Sequence, residues 1–235
     1  MRGLFVTGTD TGVGKTVVSA SLIASMVAAG ERVRAFKPVV TGLDAPPNSE
    51  AHELWPADHE LLASVADMSP EEVSPRRFGP AVSPHLAAEL AGESIDPAAL
   101  LARARGRRDD SQGEQDTLIV EGVGGLLVPL TDDYSVCDFA SALGLPIVIV
   151  ARPGLGTINH TLLTLRVARA AGLKTVAVVL TPWPPEPTVM ERSNRATISR
   201  IGEVEVAGLA PLSCPEPAEL QRAGEELPWR RWLQP

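Results

Sequence analysis

An apolar run, Leu4-Phe5-Val6, leads straight into Gly8-Thr9-Asp10-Thr11-Gly12-Val13-Gly14-Lys15-Thr16 and then into a helix-forming stretch. A short apolar run, a glycine-bearing turn and a helix start, in that order, commit the chain to a strand–turn–helix unit, the usual opening of a parallel α/β fold. The turn brings the first N–H groups of the helix, which have no partner inside it, to the positive end of the helix dipole. That combination cradles phosphate. Lys15 would reach the terminal phosphates and Thr16 would hold Mg²⁺. Gly12, Val13, Gly14 and Val17 would line the rest of a nucleotide-phosphate site. The usual spacing puts a glycine at position 9, where this chain has Thr9, and the nearest glycine is Gly8. Partition-type ATPases would carry a lysine at position 9, and its absence argues against that group.

Lysine is scarce. The chain has Lys15, Lys37 and Lys174 against eighteen arginines. Where any cation would serve, the sequence uses arginine, so Lys15 and Lys37 are read as chosen for a compact charge on a flexible stem. A net charge of −8 argues against a nucleic-acid surface. Phosphate binding must then come from local geometry and Mg²⁺. Cys137 and Cys214 are isolated thiols without metal or redox spacing. No apolar run approaches the ~20 residues of a membrane span, and the strand-like N-terminus leaves no room for a signal peptide. A cytoplasmic location is the expectation, with no membrane partner.

Alternation of strands and helices predicts one α/β domain over residues 1–235, a P-loop NTPase-like, mostly parallel sheet with helices on both faces. Strands are expected at Gly3–Thr7, Val33–Val39, Thr117–Glu121, Pro146–Ala151, Thr175–Leu180 and Val204–Leu209. Helices are expected at Lys15–Ala29, Asp58–Val65, Thr157–Ala171 and Thr188–Ile201, with further starts at Ser83-Pro84 and Asp96-Pro97. Residues 42–57 read as a loop, and Gly122–Gly125 as a turn. The Arg103–Arg108 run reads as a solvated helix end, with a nucleoside-kinase-like lid as the alternative.

In such a sheet, ligands collect at the carboxyl ends of the strands. Those ends carry the phosphate loop, Lys37 and Thr41, Glu121 with Gly122, Val123 and Gly124 behind it, Gly156-Thr157-Ile158-Asn159, and Thr181-Pro182. A carboxylate ending a buried strand beside the loop suits Mg²⁺, which takes oxygen ligands and only one or two carboxylates. Asp58, on the residues alone, is explained by helix capping.

Taken together, Gly8–Thr16, Phe36-Lys37-Pro38-Val39-Val40-Thr41-Gly42, Ser83-Pro84-His85, Glu121–Gly125 and Gly156–His160 resemble the dethiobiotin synthetase family. The resemblance implies ATP-dependent carboxylation of 7,8-diaminopelargonic acid by CO₂ to a carbamate, its phosphorylation, and ring closure with loss of phosphate. It implies that Lys37 holds the carbamate and Lys15 the γ-phosphate as the catalytic cations. Thr16, Asp58 and Glu121 would hold Mg²⁺, and Thr41 would touch the diamine. In the implied homodimer, the helix start at Gly156–Asn159 would take the substrate carboxylate from the partner copy. Thr181-Pro182 falls at the family's base-reading position, and Pro211, Leu212 and Ser213 are further candidates to bind the nucleotide.

Two departures bear on specificity. Family members commonly carry glutamate where this chain has Gly12, and an adenine-reading asparagine where it has Thr181-Pro182. Without an amide, base selectivity is expected to relax, with Trp183 or Pro211–Ser213 packing near the base. The competing readings are a related P-loop amidoligase, which would need a glutamine-hydrolysing domain, and a regulatory nucleotide-binding ATPase, which would leave Lys37 unexplained.

Overall fold

A computed structural model describes residues 1–44, 55–106 and 116–234. Part of the expected 42–57 loop, and Arg107 and Arg108 of the arginine run, lie outside the described residues. Six strands form one parallel sheet. They are β1 (Arg2–Gly8), β2 (Val33–Phe36), β3 (Thr117–Gly125), β4 (Ile147–Ala151), β5 (Thr175–Leu180) and β6 (Val206–Gly208), in the order β2-β3-β1-β4-β5-β6. The helices are α1 (Lys15–Ala28), α2 (Asp58–Ala66), α3 (Pro70–Val73), α4 (Pro84–Leu90), α5 (Pro97–Arg105), α6 (Val136–Leu143), α7 (Thr157–Ala170), α8 (Val189–Gly202), α9 (Pro217–Glu225) and α10 (Trp229–Trp232).

Strand side chains alternate between two cores, as the period of two demands. Leu4, Val6, Val148, Val150, Ala177 and Val179 face α1, α2, α9 and α10. Phe5, Ile147, Ile149, Val178 and Leu180 face α4 to α8. Both faces are covered, so the strands read as continuous apolar runs.

Two expectations are corrected at the sheet. The second strand stops at Phe36, not Val39. The Lys37 N–H donates to the Val73 carbonyl at 2.8 Å, and Pro38 has no N–H to give a ladder. The third strand does not turn at Gly122 but runs on to Gly125. Gly122 faces the α6 side, where a Cβ would sit 3.2 Å from both the Phe5 ring and Val136. Its small size serves packing rather than close approach of a nucleotide. Helix α6 has no counterpart among the expected elements, although Ser135 and Asp138 cap each other reciprocally there. Asp58 is the first residue of α2 rather than its cap, a position taken by Ala57. Among the described residues no helix is long and apolar enough to cross a membrane.

Candidate active site

Strand alternation and register build the site. Ala35 and Ile119 face the α1 side, so Lys37 and Glu121, two residues on from each, project to that same side. Phe36 pairs with Val120 across β2 and β3, which makes Lys37 and Glu121 cross-strand neighbours. The Lys37 Nζ donates to Glu121 Oε1 at 2.5 Å and lies 2.7 Å from Asp58 Oδ2. Thr16 closes the group, its Oγ1 lying 2.8 Å from Asp58 Oδ1 and 2.9 Å from Glu121 Oε1. Lys37 is 3% exposed and Glu121 fully buried.

Electrostatics follow from this burial. Desolvation opposes charge on Lys37, but the carboxylates of Asp58 and Glu121 outweigh it and hold the pKa above its ordinary value. Burial pushes the Glu121 carboxyl up, against the pull of Lys37. At Asp58 burial also raises the pKa, yet Lys37 and the Thr16 hydroxyl bring it down to about 2. Burial lowers the pKa of Lys15, and the neighbouring Lys37 charge adds to that shift while Glu121 and Asp58 resist it. Two ammonium groups and the Asp58 carboxylate therefore line one cavity, with the Glu121 carboxylate buried behind Lys37.

The phosphate loop wraps closely around Lys15. A Cβ on Gly8 would meet Val13 Cγ2 at 2.8 Å and Lys15 Cδ at 3.1 Å, so glycine is needed at position 8 and Thr9 is tolerated next to it. The Lys15 Nζ donates to the Asp10 carbonyl at 3.0 Å. Gly14 has φ +95°, and a Cβ there would lie 2.7 Å from the Thr181 methyl. Helix α1 starts with no side-chain cap and no acid in its first turn. Helix α7 starts the same way, from Gly156 at φ +91°. Helices α3, α5, α6 and α8 are instead capped by Ser69, Asp96, Ser135 and Thr188.

A cavity of about 720 Å³ opens above these groups. Its walls include Gly12, Gly14, Lys15, Thr16, Val17, Lys37, Thr41, Asp58, Val123 and Gly124, with Ser83 and Pro84 opposite. Val39, Val82 and Val128 give it an apolar side, and Trp55 and Leu61 another. Val13 is buried beneath the loop. Thr181, Pro182, Pro211, Leu212 and Ser213 are not among the walls. Thr181 nevertheless touches the loop at Gly14, Leu212 packs on the α1-side core, and Ser213 Oγ donates to Glu219 at 3.1 Å. At the start of α7, Thr157 is buried, Ile158 half-buried and Asn159 exposed.

Trp183 is not beside the phosphate loop. Its indole lies over β6, where Gly208 has no Cβ to obstruct it, and the Arg195 guanidinium stacks on it at 5.3 Å. That pair lines a separate cavity with Arg192, Glu205 and Arg231.

The donor set fits Mg²⁺. Thr16, Asp58 and Glu121 offer a hydroxyl and two carboxylates, and Glu121 Oε2 is buried without a hydrogen-bond partner. Two carboxylates leave the remaining positions for water and phosphate oxygens, as Mg²⁺ prefers. No group of three or more His, Cys, Asp or Glu among the described residues could hold a metal on its own.

A parallel sheet with helices on both faces and a Gly-Lys-Thr loop after its central strand defines a P-loop nucleotide-binding protein. Solved structures agree at the level of the fold. The MinC:MinD cell division complex of Aquifex aeolicus matches with a TM-score of 0.52 at 14% identity, covering 95% of this chain and 86% of that one. Apo McdA of Cyanthece matches with a TM-score of 0.50 at 11% identity, covering 99% and 95%. A family model described as an AAA domain matches residues 2–213. ATP-dependent dethiobiotin synthetases are similar over most of their length. That of Bacillus licheniformis is 38% identical over 214 residues, covering 90% of this chain and 86% of the relative. That of Anaeromyxobacter dehalogenans is 40% identical, covering 90% of both chains. That of Bacillus subtilis is 37% identical, covering 90% and 87%. The chain belongs to the dethiobiotin synthetase family.

Proposed function

We propose that the chain, as a single catalytic domain in the cytoplasm, is an ATP-dependent ligase that carboxylates 7,8-diaminopelargonic acid with CO₂ and closes the cyclic urea, releasing ADP and phosphate. The observation that carries this reading is the convergence of Lys37 with Thr16, Asp58 and Glu121 at a cavity that Lys37, Thr16 and Asp58 line together with Lys15. Phosphoryl transfer needs positioned cations rather than a protein nucleophile, and two lysines at one cavity supply them.

In this proposal Lys15 binds the γ-phosphate, and the backbone of the loop and first turn of α1, from Gly12 to Val17, orients the β-phosphate. Lys37 holds the carbamate formed on one substrate amine while that carbamate takes the phosphoryl group from ATP. The second amine then attacks the carbamic–phosphoric anhydride and phosphate leaves. Thr16, Asp58 and Glu121 would hold Mg²⁺, which supplies charge neutralisation at the transferring phosphate. Thr41 contacts the diamine, and the valines on the wall exclude water from the anhydride. The uncapped start of α7, Gly156–Asn159, receives the substrate carboxylate from the partner copy of a homodimer, as a helix N-terminus can. Leu155 beside it is 94% exposed, an apolar side chain that a second copy would cover. Thr181, Pro182 and Pro211–Ser213 flank the base.

The test is incubation of protein, diamine, bicarbonate, Mg²⁺ and ATP, with mass spectrometry for the cyclic urea. Its absence while ATP is still hydrolysed would favour the regulatory-ATPase reading.

A further inference from the structure

The segment between β4 and α7 is tied down at two points. Asn194 on α8 is buried, and its Nδ2 donates to the carbonyls of Pro153 at 2.9 Å and Gly154 at 3.2 Å. One residue earlier, exposed Arg152 reaches the other way, its Nη2 donating to the Gly12 carbonyl at 3.2 Å. Gly12 sits at φ +68°, and a Cβ there would lie 3.3 Å from that same nitrogen. The guanidinium can lie against the loop because the loop has no side chain at this point.

A peptide unit is planar and trans, so the Gly12 carbonyl and the Val13 N–H point in opposite directions. Turning the Gly12–Val13 peptide over would change ψ of Gly12, where no Cβ resists it, and φ of Val13, and a hydrogen bond held on the Gly12 carbonyl opposes that rotation directly. We infer that Arg152 is a positioning residue for nucleotide binding: by engaging the Gly12 carbonyl it keeps the Val13 N–H directed into the phosphate cradle. Asn194 supports this by fixing the backbone from which Arg152 extends. This inference rests on the reading of the loop as a nucleotide site.

The full chain is titrated with MgADP by calorimetry, comparing wild type with Arg152→Met, which keeps the stem but has no donor, and Arg152→Lys, which restores one. Arg152→Met is expected to bind about tenfold more weakly, as loss of a charge-assisted bond of this kind implies. Arg152→Lys is expected to stay within about threefold of wild type. The deficit of the Met variant should persist between about 0.1 M and about 1 M salt, over which the screening length falls from about 10 Å to about 3 Å. Orientation of a peptide is insensitive to screening. Wild-type affinity in Arg152→Met, or a deficit that disappears at high salt, would overturn the inference and leave the nucleotide site standing. Failure of the wild type itself to bind MgADP would overturn both. Arg152 is exposed, and matching thermal melts would confirm that the variants fold.

Discussion

Replacing Lys37 by Met should separate folding from chemistry. Methionine approximates the lysine stem but removes the ammonium that faces Glu121, a carboxylate with no solvent exposure. Removing one partner of a buried pair costs about 3–5 kcal/mol, because the remaining charge is uncompensated. For a chain of this size that corresponds to a fall in Tm of about 6–20 °C. The loss must also depend on pH. Without Lys37 the Glu121 pKa, already raised by burial, rises further, so the folded state binds a proton that the unfolded state releases. Stability then falls as pH rises through the range between the unfolded and folded pKa values. Urea unfolding should accordingly show a deficit about 1–3 kcal/mol smaller near pH 5.5 than near pH 8, at about 1.4 kcal/mol per pKa unit. Adding Glu121→Gln removes the stranded charge, and the double variant should recover to within about 1.5 kcal/mol of wild type while forming no cyclic urea. Lys37→Met alone should still bind MgADP. A single variant as stable as wild type near pH 8, or a double variant less stable than the single, would refute the reasoning.

Gly14→Ala places a Cβ at φ +95° and 2.7 Å from the Thr181 methyl, so MgADP affinity should drop at least about tenfold by calorimetry, given a left-handed cost of about 1–2 kcal/mol before the clash. Adding Thr181→Ser should recover part of it, and unchanged binding in Gly14→Ala would contradict the geometry. Asp58, held at about 2 from an ordinary value of 3.8, contributes stability that is present above about pH 4 and lost as pH falls through about 2. Acid unfolding of Asp58→Asn should show a flatter profile in that window, and a profile identical to wild type would argue against the pairing. With Thr181-Pro182 offering no amide to a base, turnover constants for ATP, CTP and GTP should be comparable, and a strong preference for ATP would rule this out.

The central chemistry is legible in the sequence because each piece ends a recognisable strand or opens a recognisable helix. Gly12–Thr16 announces its own geometry through its glycines and its position. Lys37 stands out by the scarcity of its residue type. That Lys37 meets Glu121 depends on strand order and register, which local patterns do not encode. Capping alone is enough to explain Asp58 in the sequence, and its engagement with Lys37 and Thr16 depends on how α2 docks beside α1. Gly122 misleads because a glycine serving a core and one serving a ligand look alike until the facing side chains, here Phe5 and Val136, are known. The place of Trp183 depends on Gly208, far along the chain on another strand. Arg152 carries no sequence signal beyond its place after a strand.

The family match ends at residue 213, yet the polypeptide beyond that point is no appendage. Leu220, Ala223, Leu227, Trp229 and Trp232 are buried in the core that α1 shares. Gly224 lies so close to α1 that a Cβ would fall 1.9 Å from the Ser21 carbonyl oxygen. A recombinant fragment trimmed to the shared region would lose two indoles that each cover about 150–250 Å², uncovering the rear of the helix that presents Lys15 and Thr16. The stretch outside the match with the family is thus a buttress for the catalytic apparatus, and expression boundaries drawn by homology would cut through it.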